Sequence, residues 1–252
     1  MTHIARRIIK QIVGDKRSLA LIMLMPILLL SLLYLLLGEN TYVPLVLTEQ
    51  VPQPFVDRIA ATGKVDFISF FLIFLFSGIS FVRERTSDTV ERLMLTPVQT
   101  AEVVGGYVLG FAVFALLQSG IMILYARFVL KMPFVGNWWL ALLLMLLLAM
   151  TAVVTGVLVS ALSKNEFQVM QFIPVIIIPQ VFFSGIIPID TIPYNLGALA
   201  KVMPIYYGCM GLRAVLIYGQ GLAEILPQIL VLLLMIALLF AANVAAVKKY
   251  RG

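Results

Sequence analysis

Residues 18–37 form a run of twenty positions without one charged side chain. About 20 consecutive apolar residues are what a helix needs to cross the hydrocarbon core of a bilayer. Comparable runs cover 67–82, 103–126, 138–162 and 225–247, and another begins near Val169. Backbone groups in lipid must bond within their own segment, so each run is predicted to be a helix. Composition agrees: 62% of the 252 residues are hydrophobic and only 12% are charged. Soluble domains run at about half apolar and a quarter charged, so a water-soluble globule is excluded. Disorder is excluded as well, because the chain has too few charges and too many apolar groups.

The expected fold is an all-α polytopic membrane protein with six transmembrane helices in one domain. An amphipathic helix over 1–17 precedes the first span at 18–37. An external segment follows at 38–65, then a second span at 66–82. A connecting loop at 83–102 leads to spans at 103–126, 138–162 and 169–187, and the last span is 225–247. Between the fifth and sixth, Pro188, Pro193 and Pro204 alternate with Gly185, Gly197, Gly208 and Gly211. Broken helix at membrane depth survives only where protein or a water-filled cavity covers it. Residues 188–219 are therefore expected to be re-entrant half-helices.

Lys and Arg set the orientation of such a protein. Twelve fall on one side, including Arg6, Arg7, Lys10, Arg83, Arg85, Arg92 and Lys248, and six on the other. The acids divide six and six, so the whole net charge of +6 lies on the first side. That side is expected to be cytoplasmic and to hold both termini, in a cell inner or plasma membrane. The basic balance then reports topology, and nucleic acid is not an expected partner. The apolar run at 18–37 is longer than the core of a signal peptide and no small-x-small site follows it, so a retained span is expected. Ahead of it, Ile4, Ile8, Ile9, Ile12 and Val13 share one helical face while Arg6, Arg7 and Lys10 lie off it. That pattern is an interfacial helix, either an anchor or an elbow that moves with the spans.

One Cys, Cys209, excludes an internal disulfide, and one His, His3, excludes most zinc sites and His-centred triads. No metal site and no catalytic residue is expected. There is no G-x-x-x-x-G-K-[ST] phosphate loop. The apolar runs hold no internal Asp, Glu or Lys, whereas ion-coupled carriers place such groups at mid-membrane. Energy is therefore expected from outside the bilayer.

The loop between the second and third runs reads Arg83-Glu84-Arg85-Thr86-Ser87-Asp88-Thr89-Val90-Glu91-Arg92-Leu93-Met94-Leu95-Thr96-Pro97. Asp88 and Glu91 fit a capping box, and a helix should end before Pro97. Val90, Leu93 and Met94 fall at i, i+3 and i+4, an apolar knob on one face. Asp88 and Arg92 can pair along another. The pattern fits equally a helix lying on headgroups and a ball presented to a partner.

This stretch resembles the coupling-helix loop of type-2 ABC exporter permeases, where Arg-Glu-Arg leads into Thr-x-Glu-Arg-Leu and a Thr/Ser-Pro. The family commonly has Gly where this chain has Asp88. Phe183-Ser184-Gly185-Ile186-Ile187-Pro188, Ile192-Pro193, Met203-Pro204-Ile205-Tyr206-Tyr207 and Leu212-Arg213 resemble the family's broken segment between spans five and six. Gly14-Asp15-Lys16-Arg17-Ser18 through Pro26 resembles its elbow and first span. The resemblance implies a permease that pairs with a second copy or a homologous permease in lipid. Each copy would dock on an ABC ATPase subunit that holds ATP and Mg, with no cofactor on this chain. It implies coupling through Arg83, Glu84, Asp88, Thr89, Val90, Glu91, Arg92, Leu93, Met94 and Pro97.

Polar residues inside the apolar runs are the candidates for a substrate path: Gln118, Thr151, Thr155, Gln171 and Gln180. Side chains of this kind often only bond across helices. Gly106-x-x-x-Gly110 permits close helix contact, within one copy or between two. An uncharged path suits an amphipathic or apolar cargo such as a drug, antibiotic or lipid-like molecule. The alternatives are export of polysaccharide or a lipid-linked glycan, or a membrane scaffold without transport. Residues 42–47 read as a short strand, which resembles the opening of a larger external domain in some family members. Either that domain is missing, with the join near 63–66, or the segment is a compact cap.

Overall fold

The computed structural model describes residues 1–36, 53–95, 98–130, 135–182 and 193–248. Among these, every regular element is helical. In chain order they are α1 (Thr2–Gly14), α2 (Lys16–Leu36), α3 (Gln53–Thr86), α4 (Thr89–Met94), α5 (Thr100–Phe128), α6 (Trp138–Leu162) and α7 (Glu166–Phe182). A 3-10 helix (Pro193–Val202), α8 (Pro204–Leu216) and α9 (Leu222–Lys248) complete the chain. The expected strand at 42–47 lies outside the described residues, as does the 183–192 stretch that carries Gly185 and Pro188.

Among the described residues, four helices are long and apolar enough to cross a bilayer: Val65–Thr86, Thr100–Phe128, Trp138–Leu162 and Leu222–Lys248. This is a multi-pass membrane protein. α2 and α7 stand where the first and fifth spans were expected. α7 has 17 residues and contains Pro174 and Pro179, so it is a shorter rod with interrupted backbone bonding. Residues 193–216 of the proline-rich stretch form two short helices, the 3-10 helix and α8. Pro204 opens α8 at a position where its missing N–H costs nothing.

Helix ends follow local chemistry. Gln99 and Glu102 form a reciprocal capping box at the start of α5, with Gln99 N donating to Glu102 Oε2 at 3.2 Å. Asn137 Oδ1 accepts from Trp139 N at 2.9 Å and fixes the start of α6 at Trp138. α3 begins 14 residues before Phe67, the first residue of the apolar run. Its only proline, Pro54, is tolerated in a first turn, so the helix runs unbroken through 63–66. Asp66 thereby becomes part of a spanning helix and is fully buried. The apolar run itself, 67–82, holds no acid, and Asp66 stands one residue ahead of it.

α6 sits at the centre, packed by α3, α5, α8 and α9. Ala149, Ala152, Val153, Val154, Gly156 and Val157 are all buried on it, and small residues let neighbouring backbones approach. At Gly156 an added Cβ would lie 2.5 Å from the Phe74 carbonyl oxygen and 3.0 Å from Gly78 N. α3 and α6 therefore touch backbone to backbone. α9 is tied to α6 by Asn243, whose Nδ2 donates to Val154 O at 2.8 Å and to Leu239 O at 2.9 Å. Its other face exposes Leu226, Leu230, Leu234 and Leu238, the surface lipid would cover.

The small residues of α5 seat α1. A Cβ on Gly106 would lie 2.6 Å from Ile4 Cβ, and one on Gly110 would lie 3.0 Å from Ile8 Cβ. The Gly106-x-x-x-Gly110 contact is thus made within one copy, and Ile4, Ile8 and Ile12 pack on protein.

Candidate functional site: the brace beneath the short helix

Three consecutive charges end α3. Successive helical residues point about 100° apart, so Arg83, Glu84 and Arg85 face three directions. Arg83 is bidentate to Glu166 at the start of α7, with Nε to Oε1 at 2.7 Å and Nη2 to Oε2 at 3.1 Å. The Arg83 guanidinium holds the Glu166 carboxyl below the usual carboxylate range. Arg85 Nη1 donates to the Ala161 carbonyl at the end of α6 at 2.8 Å. Glu84 turns inward and is 9% exposed. It accepts from Gln11 Nε2 at 2.7 Å, from the Tyr107 hydroxyl at 2.9 Å and from the Arg7 guanidinium. One turn of α3 thus ties together α1, α5, α6 and α7.

Arg7, Gln11, Tyr107 and Glu166 were not among the residues expected here. Arg7 corrects the pattern reading of α1, which set it off the packed face with Arg6 and Lys10. It is half-buried because it reaches a buried carboxylate. The i, i+4 spacing of Arg7 and Gln11 was the available signal, since it places two donors on one stripe.

Below the brace the chain turns at Ser87 and Asp88. Asp88 has φ +56°, the left-handed region that glycine adopts without strain. Its carbonyl accepts from Arg92 N at 3.0 Å and opens α4. Asp88 and Arg92 are both exposed and form no ion pair with each other. Asp88→Gly should stabilise the protein by roughly 1 kcal/mol, and Asp88→Val should cost about 1–2 kcal/mol. Thermal unfolding in detergent reads both.

α4 is amphipathic, but its apolar face points inward. Val90 is buried and Leu93 is half-buried against the core. The knob expected at Val90, Leu93 and Met94 is therefore corrected at Val90, which packs on the protein itself because that burial is available between α3 and α5. Met94 and Glu91 have side chains outside the described residues, and Pro97 lies outside them altogether. Thr89 is half-buried and its hydroxyl meets Ser87 Oγ at 3.0 Å. Among the described side chains, Asp88, Arg92 and Leu95 face solvent, and Leu95 is 87% exposed.

The structure scatters the candidate path residues. Thr151 and Thr155 bond their own helix, with Thr151 Oγ1 to Leu148 O at 2.6 Å and Thr155 Oγ1 to Thr151 O at 2.7 Å. Gln180 Oε1 accepts from Ile205 N at 3.2 Å and caps α8. Gln171 is exposed on α7. Gln118 lines an open cleft of about 370 Å³ between α2, α3 and α5. Its amide nitrogen is buried and has no hydrogen-bond partner. A separate polar group lies between α3 and α8, where Asp66 and Ser69 are buried and Asp66 faces Cys209 and Arg213.

The fold is a bundle of spanning helices whose ends are tied by a charged cluster beside a short helix. The chain belongs to the ABC-2 family of transporter proteins, whose family model matches residues 67–245. It is similar to ABC transporter G family member 20 of Dictyostelium discoideum, 29% identical over 199 residues that make up 77% of this chain and 27% of that protein. It is also similar to the linearmycin resistance permease protein LnrN of Bacillus subtilis, 28% identical over 65% of this chain and 43% of LnrN. The probable multidrug ABC transporter permease YbhR of Escherichia coli is 25% identical over 53% of this chain and 36% of YbhR. The chain thus matches less than half the length of each of these relatives.

Proposed function

We propose that this chain is the permease subunit of an ATP-driven exporter, moving an amphipathic or apolar small molecule out of the cytoplasm or the inner leaflet. ATP and Mg are held by a separate ABC ATPase, docked at the cytoplasmic end that carries α1 and α4, and the permease works as a dimer. The names of LnrN and YbhR, a resistance permease and a probable multidrug permease, support the cargo class. The observation that carries the reading is Leu95, a large apolar side chain left 87% exposed at the end of α4 while Val90 is packed away. A short helix packed on α3, whose end is tied to four other helices, with Leu95 and Arg92 facing outward, is suited to receive a partner and pass its movement on. Arg83 and Glu84 act in this scheme by holding the spans to α4, while Asp88, Arg92 and Leu95 meet the partner.

The test is the pair Leu95→Asp and Arg92→Glu. Both side chains are exposed, so expression and thermal stability should match the parent. Co-purification with its partner ABC ATPase should fall at least tenfold. Unchanged co-purification and unchanged cargo-stimulated hydrolysis in lipid would remove α4 as the docking site.

A further inference from the structure

The cleft between α2, α3 and α5 has a chemical gradient along it. One wall is a stripe of α3: Phe71, Leu72, Leu75, Phe76 and Ile79, all half-buried. These recur at i, i+4 and i+8, so one helical face lines the cleft along its length. Ile22, Met25 and Leu29 of α2 form the opposite wall. The stripe ends at Ser80 and Arg83, beside the brace. Gln118 of α5 marks the other end. α5 runs antiparallel to α3, with Tyr107 against Phe81 and Phe111 against Phe76. Continuing that register puts Gln118 level with about residue 70, roughly 20 Å from Arg83 at 1.5 Å per residue.

Two polar groups in this apolar slot have unused capacity. Arg83 gives Nε and Nη2 to Glu166, and its Nη1 makes no hydrogen bond among the described residues. Its side chain remains 61% exposed. Glu166 and Asp15 are the acids that face it. Gln118 is 2% exposed with its Nε2 donor unpaired, and a buried unpaired amide costs free energy until something accepts from it. A cleft of this volume falls within the range of small-molecule sites, with apolar walls and a few placed polar groups.

We propose that this cleft binds a single-chain acidic amphiphile, its anionic head on Arg83, its chain along the α3 stripe, and a hydrogen-bond acceptor part-way down the chain on Gln118. The assignment deepens the transport reading by naming an acidic class of amphiphile, and it is tested without the ATPase so that the two can fail separately.

Equilibrium binding to the purified full chain in neutral phosphatidylcholine nanodiscs tests it. The probes are oleate, oleyl alcohol and oleylamine, which share a chain and differ in head charge, together with ricinoleate, which adds a hydroxyl within the chain. Oleate should saturate at one per chain and bind about tenfold tighter than oleyl alcohol, with oleylamine weakest. Ricinoleate should bind severalfold tighter than oleate, and Gln118→Leu should erase that gain while still binding oleate. Arg83→Gln should abolish the preference for oleate. Glu166→Gln should enlarge it about threefold, because it frees the same guanidinium. Both variants lose the Arg83–Glu166 link, so a merely structural role would move them together, whereas the proposal moves them apart. Leu75→Trp, which fills the cleft, should remove saturable binding of all four. Non-saturable uptake, equal affinity for the three heads, or Arg83→Gln and Glu166→Gln shifting the same way would each overturn the assignment.

Discussion

Glu84→Ala is expected to lower the unfolding free energy by about 3 kcal/mol, as removal of one partner from a buried charged pair does. The substitution leaves the Arg7 guanidinium, the Gln11 amide and the Tyr107 hydroxyl around a hole that no other acid fills. α1 should then come loose from α5, since Glu84 supplies the polar half of that contact and Gly106 and Gly110 the close-packed half. Limited trypsin digestion reads the release: Arg6, Arg7 and Lys10 should be cut rapidly in the variant and slowly in the parent. Glu84→Gln keeps two acceptor contacts and loses the charge, so it should fall between the two. A parent-like melting temperature and digestion pattern in Glu84→Ala would mean that the brace is ornamental.

Gly156→Leu is the second large effect. Its Cβ would press on the Phe74 carbonyl and Gly78 N, both backbone, which cannot swing aside. Overpacking alone costs about 1–3 kcal/mol, and a rigid backbone neighbour puts this site at or above the top of that range. The variant should not elute as a single species in size-exclusion chromatography. Gly156→Ala should be milder but still destabilised. Ser77→Ala should relieve it in part, because the Ser77 hydroxyl is one of the groups an added Cβ meets there. Full recovery would show that the backbones have room to part.

The helices were largely readable from the sequence, and the brace was not. α6 begins and ends where its apolar run does, because Asn137 caps one end and Ser163 leaves helical backbone at the other. α5 and α9 extend their runs by at most three residues at either end. α3 departs most: the sequence offers only a helical turn or two over 54–61, and Gly63 does not break the rod that runs from there into the span. The short helix after Arg85 was visible from its spacing, but its facing was not. An amphipathic six-residue helix has an apolar side in either case, and only the packing of α3 and α5 decides that Val90 goes inward. Arg83-Glu84-Arg85 looks like a solvated charge run because the partners are 23 to 83 residues away along the chain. Thr151 and Thr155 show the converse: the shared face was legible, but hydroxyls that bond their own carbonyls are lost to any ligand.

Three adjacent side chains gripping in three directions also restrict how α3 can move. Twisting the rod about its long axis would shear all of these grips at once. Tilting or sliding it along with its neighbours would shear none. A push delivered at the foot of the rod would therefore travel through the bilayer as a rocking of several helices in step, in the manner of a strut bolted to a frame. Adding or deleting one residue between Val82 and Thr86 would turn every bolt away from its hole.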